Sequence, residues 1–319
     1  MVRIANALRE YCPESVSITD NVESADLIIL YVIGSSQIPL AESYLSQGKQ
    51  IAIVQCCLKT AGGTLSEWIN LWRKCAIVWS YYDLTSYAIQ EYKRASITSI
   101  EYNNYIECVN FYHAPIGIDS IFKQNISKIQ DRERYVITTG YVDGTGCEAI
   151  TDVWKAALSE SFRVVHIGGE VARHGEFPEA VVRFEDVTDE LLRNLYMGAD
   201  YVFSLRYHEG FELPAAEAIS CGTRPVLFVQ PDLIHHYGAI PYYLKECQGK
   251  ELINEIRIML SLPRSNCIVP DYLVNQIRFR FDWQAICKGF WASLMRNARE
   301  AGNTNFTGTR TEDTANANV

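Results

Sequence analysis

The residues best suited to chemistry lie in one stretch, Asp200 to Val229. It reads Asp-Tyr-Val-Phe-Ser-Leu-Arg-Tyr-His-Glu-Gly-Phe-Glu-Leu-Pro-Ala-Ala-Glu-Ala-Ile-Ser-Cys-Gly-Thr-Arg-Pro-Val-Leu-Phe-Val. Glu209 and Glu217 flank the point where an apolar strand gives way to a helix with Pro214 in its first turn. Around Phe211, Glu212 and Leu213 the opening amides of that helix lack intrahelical acceptors, and the helix dipole favours an anion there. Glu217, about one turn in, can accept a hydrogen bond from a sugar hydroxyl while the amides hold a phosphate. Arg206, just upstream of Glu209, can add a charge-assisted contact, and His208 is a further candidate beside it. The chemistry expected is the gripping of a diphosphate-linked sugar, with one carboxylate at each end.

Such a site needs a strand to deliver it and a helix to receive it, and the chain supplies both repeatedly. Apolar runs at Ala25–Ile33, Gln50–Val54, Cys75–Ser80 and, more weakly, Tyr105–Phe111 predict strands. They alternate with helical stretches at Gln37–Gln47, Trp68–Lys74 and Thr85–Arg94. Polar, charged residues from Gly117 to Arg134 interrupt the rhythm and read as a junction. It then resumes with strands at Arg134–Gly140, Phe162–Gly169, Asp200–Leu205 and Pro225–Val229. Helices are predicted at Glu148–Leu158, Thr188–Met197, Leu213–Cys221, Leu244–Leu260 and Trp283–Ala298. Thr188 is placed as an N-cap and Gly222 as a C′ residue. Ile/Val/Leu strands separated by helices are the mark of parallel sheets covered on both faces. The fold class is therefore α/β, in two parallel-sheet lobes with a ligand cleft between them. Gly302 to Val319 is too polar to bury a core and is expected to be a disordered tail.

Composition removes several classes of function. With 48% hydrophobic and 21% charged residues the chain is an ordinary globular one, not a coiled coil or a collagen. A net charge of −9 lacks the basic footprint of a general nucleic-acid binder. The ten cysteines form no CxxC pair and no zinc-ligand spacing, so no metal site is expected. No apolar run is long enough to span a bilayer, and Met1–Ile4 does not open a signal peptide. A cytoplasmic protein is expected.

From Glu209 to Thr223 the order Glu-Gly-Phe-x-Leu-Pro-x-x-Glu-Ala-x-x-Cys-Gly-Thr resembles the Glu-x7-Glu motif of retaining glycosyltransferases of the two-lobed GT-B fold, family GT4. Pro115-Ile-Gly-Ile-Asp119 with Phe122 resembles that family's crossing into its donor lobe, and Phe281-Asp-Trp283 its entry into the C-terminal helices. The similarity covers about Pro115 to Arg296. It implies an acceptor lobe over 1–116, a donor lobe over 117–282, and a helix at 283–300 returning to the first lobe, with the tail at 301–319. It also implies that Glu209 faces the donor sugar, Glu217 the nucleotide ribose, and the amides of Gly210, Phe211 and Glu212 the diphosphate. The leaving phosphate would assist front-face attack, so the only cofactor-like requirement is the nucleotide-diphosphate sugar itself, a UDP-sugar first.

This chain departs from the family in three ways. Gly140 and Tyr141 stand at the first donor-lobe turn without the family's Arg and Lys, leaving Arg206, and less directly Lys155, as substitutes. Glu212 occupies a position usually held by Gly. The first lobe lacks a Gly-Gly-x-Gly loop, with Ala61-Gly-Gly-Thr64 and Gly34-Ser-Ser36 as the nearest equivalents. A catalytically impaired binding protein of the same fold is the alternative these losses leave open.

The acceptor is expected to be a glycan or small-molecule hydroxyl. Trp79-Ser-Tyr-Tyr-Asp83 is similar to stretches in phage-encoded glycosyltransferases, which adds a hydroxymethylated DNA base as another acceptor. Trp68, Trp72, Trp79, Tyr81 and Tyr82 can serve an acceptor site or simply pack the first lobe's core. His113, just before the crossing, is the second catalytic candidate beside Glu209, with hinge packing as its plain role. His235 and His236 read as loop residues.

Overall fold

The structure, a computed structural model, describes residues 2–32, 34–56, 64–86, 109–123, 133–140, 147–168, 178–207 and 209–300. Its contacts divide it into two units. One combines the residues up to Pro115 with those from Trp283 onward, and the other is Ile116–Asp282.

The first unit begins with α1 (Val2–Glu10), β1 (Leu27–Val32), α2 (Ile38–Ser46), β2 (Gln50–Gln55), α3 (Leu65–Trp72), β3 (Ile77–Ser80) and β4 (Phe111–His113). The strands pair in parallel in the order β1-β2-β3-β4. Ile51 to Val54 are all buried, as a strand covered on both faces requires. A reciprocal capping box sets the start of α3: Thr64 Oγ1 accepts from Glu67 N at 3.3 Å and Glu67 Oε2 accepts from Thr64 N at 2.6 Å. Trp68, Trp72, Trp79, Tyr81 and Tyr82 are buried, so the aromatic stretch packs the core. The indoles keep polar partners there, Trp72 Nε1 on Gln55 Oε1 at 3.3 Å and Trp79 Nε1 on Ala114 O at 3.0 Å.

The second unit runs β5 (Tyr135–Thr139), α4 (Cys147–Ser159), β6 (Arg163–Ile167), β7 (Val181–Phe184), α5 (Asp189–Gly198), β8 (Tyr201–Phe203), α6 (Leu213–Ser220), β9 (Arg224–Phe228), α7 (Pro231–Tyr237), β10 (Tyr242–Leu244), α8 (Lys250–Leu260) and α9 (Asp271–Arg280). All six strands are parallel, in the order β10-β9-β8-β5-β6-β7. Thr188 caps α5, accepting from Leu191 N at 3.3 Å, and Gly222 leaves α6 at φ +78°. At the amino ends of β5 and β8, Asp200 is buried and accepts from Tyr135 N at 3.1 Å and Arg264 Nε at 2.9 Å. That staple fixes the two central strands at the end opposite their outgoing loops.

Several expectations are corrected. The weak strand set at Tyr105–Phe111 lies at Phe111–His113, with 105–108 outside the described residues. His235 and His236 belong to α7, which opens on Pro231 and closes on Gly238, so they are not loop residues. The segment Leu244–Leu260 is not one helix: β10 ends at Leu244 and α8 starts only at Lys250, after Gly249 at φ +62°. Most of Thr85–Arg94, the loop 61–63 and the tail 301–319 lie outside the described residues.

The chain ends its described course with α10 (Trp283–Glu300), which packs on α1 and β3 of the first unit. Tyr112 of β4 donates to Ile286 O at 2.7 Å, and Gly289 leaves the room its hydroxyl takes. Among the described residues no helix is long and apolar enough to cross a membrane.

Candidate functional site

When connections run outward in both directions from one pair of strands, the loops leaving that pair diverge and open a crevice at its carboxyl edge. In the second unit that pair is β5 and β8: β6 and β7 lie on one side, β9 and β10 on the other. β5 leads into Gly140 and β8 into Ser204–Glu212, so the switch point is walled by the stretch in which chemistry was expected.

Ser204 joins the two walls. Its Oγ lies 3.2 Å from Thr139 Oγ1 and donates to Glu212 Oε2 at 2.5 Å. Arg206 reaches across to Gly140, where an added Cβ would stand 2.7 Å from its Nη2. Gly140 is at φ +117°, a conformation that only glycine takes without strain. On the other side, Arg206 Nε is 3.5 Å from Glu212 Oε1. The guanidinium thus spans the switch point from the end of β5 to the start of α6.

Gln230, just past β9, holds the loop between them. Its Nε2 donates to Arg206 O at 2.6 Å and its Oε1 accepts from Glu209 N at 2.7 Å. Phe211 is buried against Tyr237, His236 and Phe281, with ring centroids 5.2 to 5.6 Å apart. Tyr237 Oη donates to Glu212 O at 2.7 Å, fixing the N-cap of α6. Glu217 is buried within α6.

Burial dominates the electrostatics. It pushes Glu209 up to about 8, reinforced by the Glu212 charge and opposed by Arg206 and by the Gly210 amide, which bonds the Glu209 carboxyl. Burial raises Glu212 as well, against Arg206 and Ser204. At neutral pH Glu209 is therefore protonated, and the crevice is more positive than a count of its formal charges suggests.

A second layer lies beneath Gly140. His166 Nδ1 meets Thr138 Oγ1 at 2.9 Å, and Trp154 Nε1 donates to the same hydroxyl at 2.9 Å. Burial, then the Arg183 charge, lowers His166 to about 4, so the ring is neutral. Gly168 sits so close that a Cβ on it would overlap the Gly140 carbonyl oxygen.

The structure therefore gathers Arg206, Glu209, Gly210, Phe211, Glu212 and Gly140 around one strand pair, with Leu213 opening α6 and Glu217 buried within it. Tyr141 and His208 lie outside the described residues. His113 belongs to the first unit, exposed at the end of β4, with Nε2 3.3 Å from Tyr81 O. Lys155 is on α4, paired with Asp152 at 3.4 Å. Ser204, Thr139, Gln230 and His166 were not singled out from sequence; the signal available was a polar residue at the carboxyl end of an apolar strand. In the first unit a groove of about 690 Å³ runs beside β1, lined by Leu8, Val16, Ile28, Tyr31 and Trp291 among others, and none of the expected residues lines it. Among the described residues no cluster of His, Cys, Asp and Glu could hold a metal ion.

No protein-family model matches the chain. Over 165 residues it is 25% identical to "Putative glycosyltransferase ORF330" of Acidianus filamentous virus 2, a match taking in 46% of this chain and 50% of that protein. The chain thus spans about half the length of this curated relative. Sucrose-phosphate synthase from Thermosynechococcus elongatus superposes with a TM-score of 0.64 at 15% identity, over 86% of this chain and 74% of its own. A UDP-forming α,α-trehalose-phosphate synthase from Burkholderia xenovorans gives 0.63 at 14% identity, over 93% of this chain and 78% of its own. At such identities what is shared is the fold: two parallel-sheet, Rossmann-like α/β units of the GT-B type.

Proposed function

We propose that this chain is a retaining glycosyltransferase that takes a nucleoside-diphosphate sugar, a UDP-sugar first, at the switch point of its second unit and passes the sugar to a hydroxyl of a small molecule or glycan. The observation that carries this reading is Arg206 held over Gly140 at the diverging ends of β5 and β8, beside Glu209 and the start of α6. A guanidinium and a helix N-terminus converging on one crevice suit a diphosphate. The name of the viral relative and the UDP-forming activity of a solved neighbour point the same way.

In this reading Arg206 neutralises charge on the leaving diphosphate, the electrostatic share of catalysis. Glu209, protonated at neutral pH, offers a hydrogen bond to the donor sugar without repelling the phosphates. It is a poor general base in that state, which fits a reaction in which the leaving phosphate assists attack from the same face. Glu217 binds the ribose.

Calorimetry with UDP, GDP and ADP, followed by transfer assays on an acceptor panel, tests the proposal. UDP binding is expected, weakened at least tenfold by Arg206→Ala, about 1.4 kcal/mol, within the range for a hydrogen bond to a charged group. NMR of the product should show the donor's anomeric configuration preserved. Failure of all three nucleotides to bind, or an inverted product, would overturn it.

A further inference from the structure

We infer that Glu212 is a positioning residue, whose buried carboxyl fixes the Nε edge of Arg206 and so keeps the Nη2 end over Gly140 to meet a donor diphosphate. The inference rests on the reading of Arg206 as the donor ligand. An unrestrained arginine at a strand end samples many rotamers, and a diphosphate must then select one of them. Here the side chain that borders Arg206 is itself immobilised. Glu212 is only 2% exposed. Its Oε2 receives Ser204 Oγ at 2.5 Å, Ser204 Oγ lies 3.2 Å from Thr139 Oγ1 on β5, and the Glu212 carbonyl receives Tyr237 Oη at 2.7 Å. The residue is thus anchored from β5 and from α7 at once.

Its other oxygen, Oε1, is buried without a hydrogen-bond partner, and Arg206 Nε lies 3.5 Å from it. A buried acceptor left open costs free energy, so this geometry favours the rotamer that brings Nε–H towards it. Glu212 makes no side-chain cap on α6, so helix capping does not account for its position. Burial raises the pKa of this carboxyl against the pull of Arg206 and Ser204, which weakens it as a counter-charge while Oε1 still orients the guanidinium. A simple counter-charge at this position would do the reverse, quenching Arg206 and opposing the phosphates; the two roles predict opposite signs.

The experiment follows the Arg206 Nε–H resonance in the full chain labelled with ¹⁵N-arginine, identified by its loss in Arg206→Lys, alongside UDP affinity. In Glu212→Ala the Nε–H is expected to exchange with solvent at least tenfold faster and UDP to bind at least tenfold more weakly. Glu212→Gln, which keeps an acceptor at the same place, is expected to restore both to within about threefold. Ser204→Ala, which releases the carboxyl but leaves it in place, should shift both measurements the same way by a smaller factor, and it decides the matter if Glu212→Ala does not fold. An unchanged Nε–H in these variants, or UDP binding as tight as or tighter than the parent's, would overturn the inference. If the parent bound no UDP while its Nε–H still depended on Glu212, the donor reading would fall and the positioning role would stand.

Discussion

Burial, with the neighbouring Glu212 carboxyl, holds the Glu209 proton up to about 8 against the pull of Arg206 and the Gly210 amide. A bound diphosphate would hold that proton more tightly still, so binding favours the protonated form. Below pH 8 the proton is already present; above it, binding must recruit one. Once the terminal phosphate of UDP has ionised, near pH 6, UDP affinity is therefore expected to be level to about pH 7.5 and to fall above pH 8, approaching tenfold per pH unit. Glu209→Gln should remove that fall. Titrations across the range in both proteins measure it, and a flat parent curve to pH 9.5 would contradict the assignment. At this scale the sequence put Glu209, Glu217 and Arg206 on one strand-turn-helix, and the structure places them on the loop and helix that follow β8. The sequence did not show what tunes them. Gln230 acts from just past β9, 21 residues beyond Glu209, and Glu212, a departure already visible in the sequence, gains a role only when its carboxyl is seen beside Arg206.

Among the elements, β5 and β6 must lie close enough for Gly140 to rest on Gly168, and His166 helps to hold them. Its ring is neutral in the folded chain, with a pKa of about 4, against about 6.5 when exposed. Between those values the unfolded chain binds the extra proton, so this group's share of stability is present above pH 6.5 and is lost as the pH falls towards 4. Urea unfolding midpoints are expected to drop over that window, and His166→Gln, though less stable at pH 7, should show a shallower drop. Strands with near-continuous Ile and Val, such as β2, were legible from sequence, as was the Thr188 cap. The three-residue β10 and the seven-residue α7 were not, since neither is long enough to show a period. Pro231 and Gly238 bracket α7 and could have marked it.

For the molecule as a whole, the ordering of the chain matters more than its net charge of −9. The second unit is continuous, Ile116–Asp282, whereas the first depends on two stretches far apart in sequence. From α10 it takes Cys287, Phe290, Trp291 and Leu294, all buried; Phe290 lies 5.5 Å from the Trp79 ring, and Trp291 Nε1 donates to Leu8 O at 3.2 Å. Burying side chains of this kind contributes about 1.5–3 kcal/mol each, so their combined loss is comparable to the whole stability of a typical domain. A fragment of residues 116–282 is expected to unfold cooperatively in urea with native near-UV dichroism. A fragment of residues 1–115 should show neither, until a peptide of residues 283–300 is added.

The same discontinuity sets a timetable for synthesis. Translation releases β1 to β4 before the Ile116–Asp282 unit, but the helix that closes over Trp79 follows that unit. The sheet made before the second unit is thus completed after it, and in that interval the Trp79 ring lacks the Phe290 that packs against it.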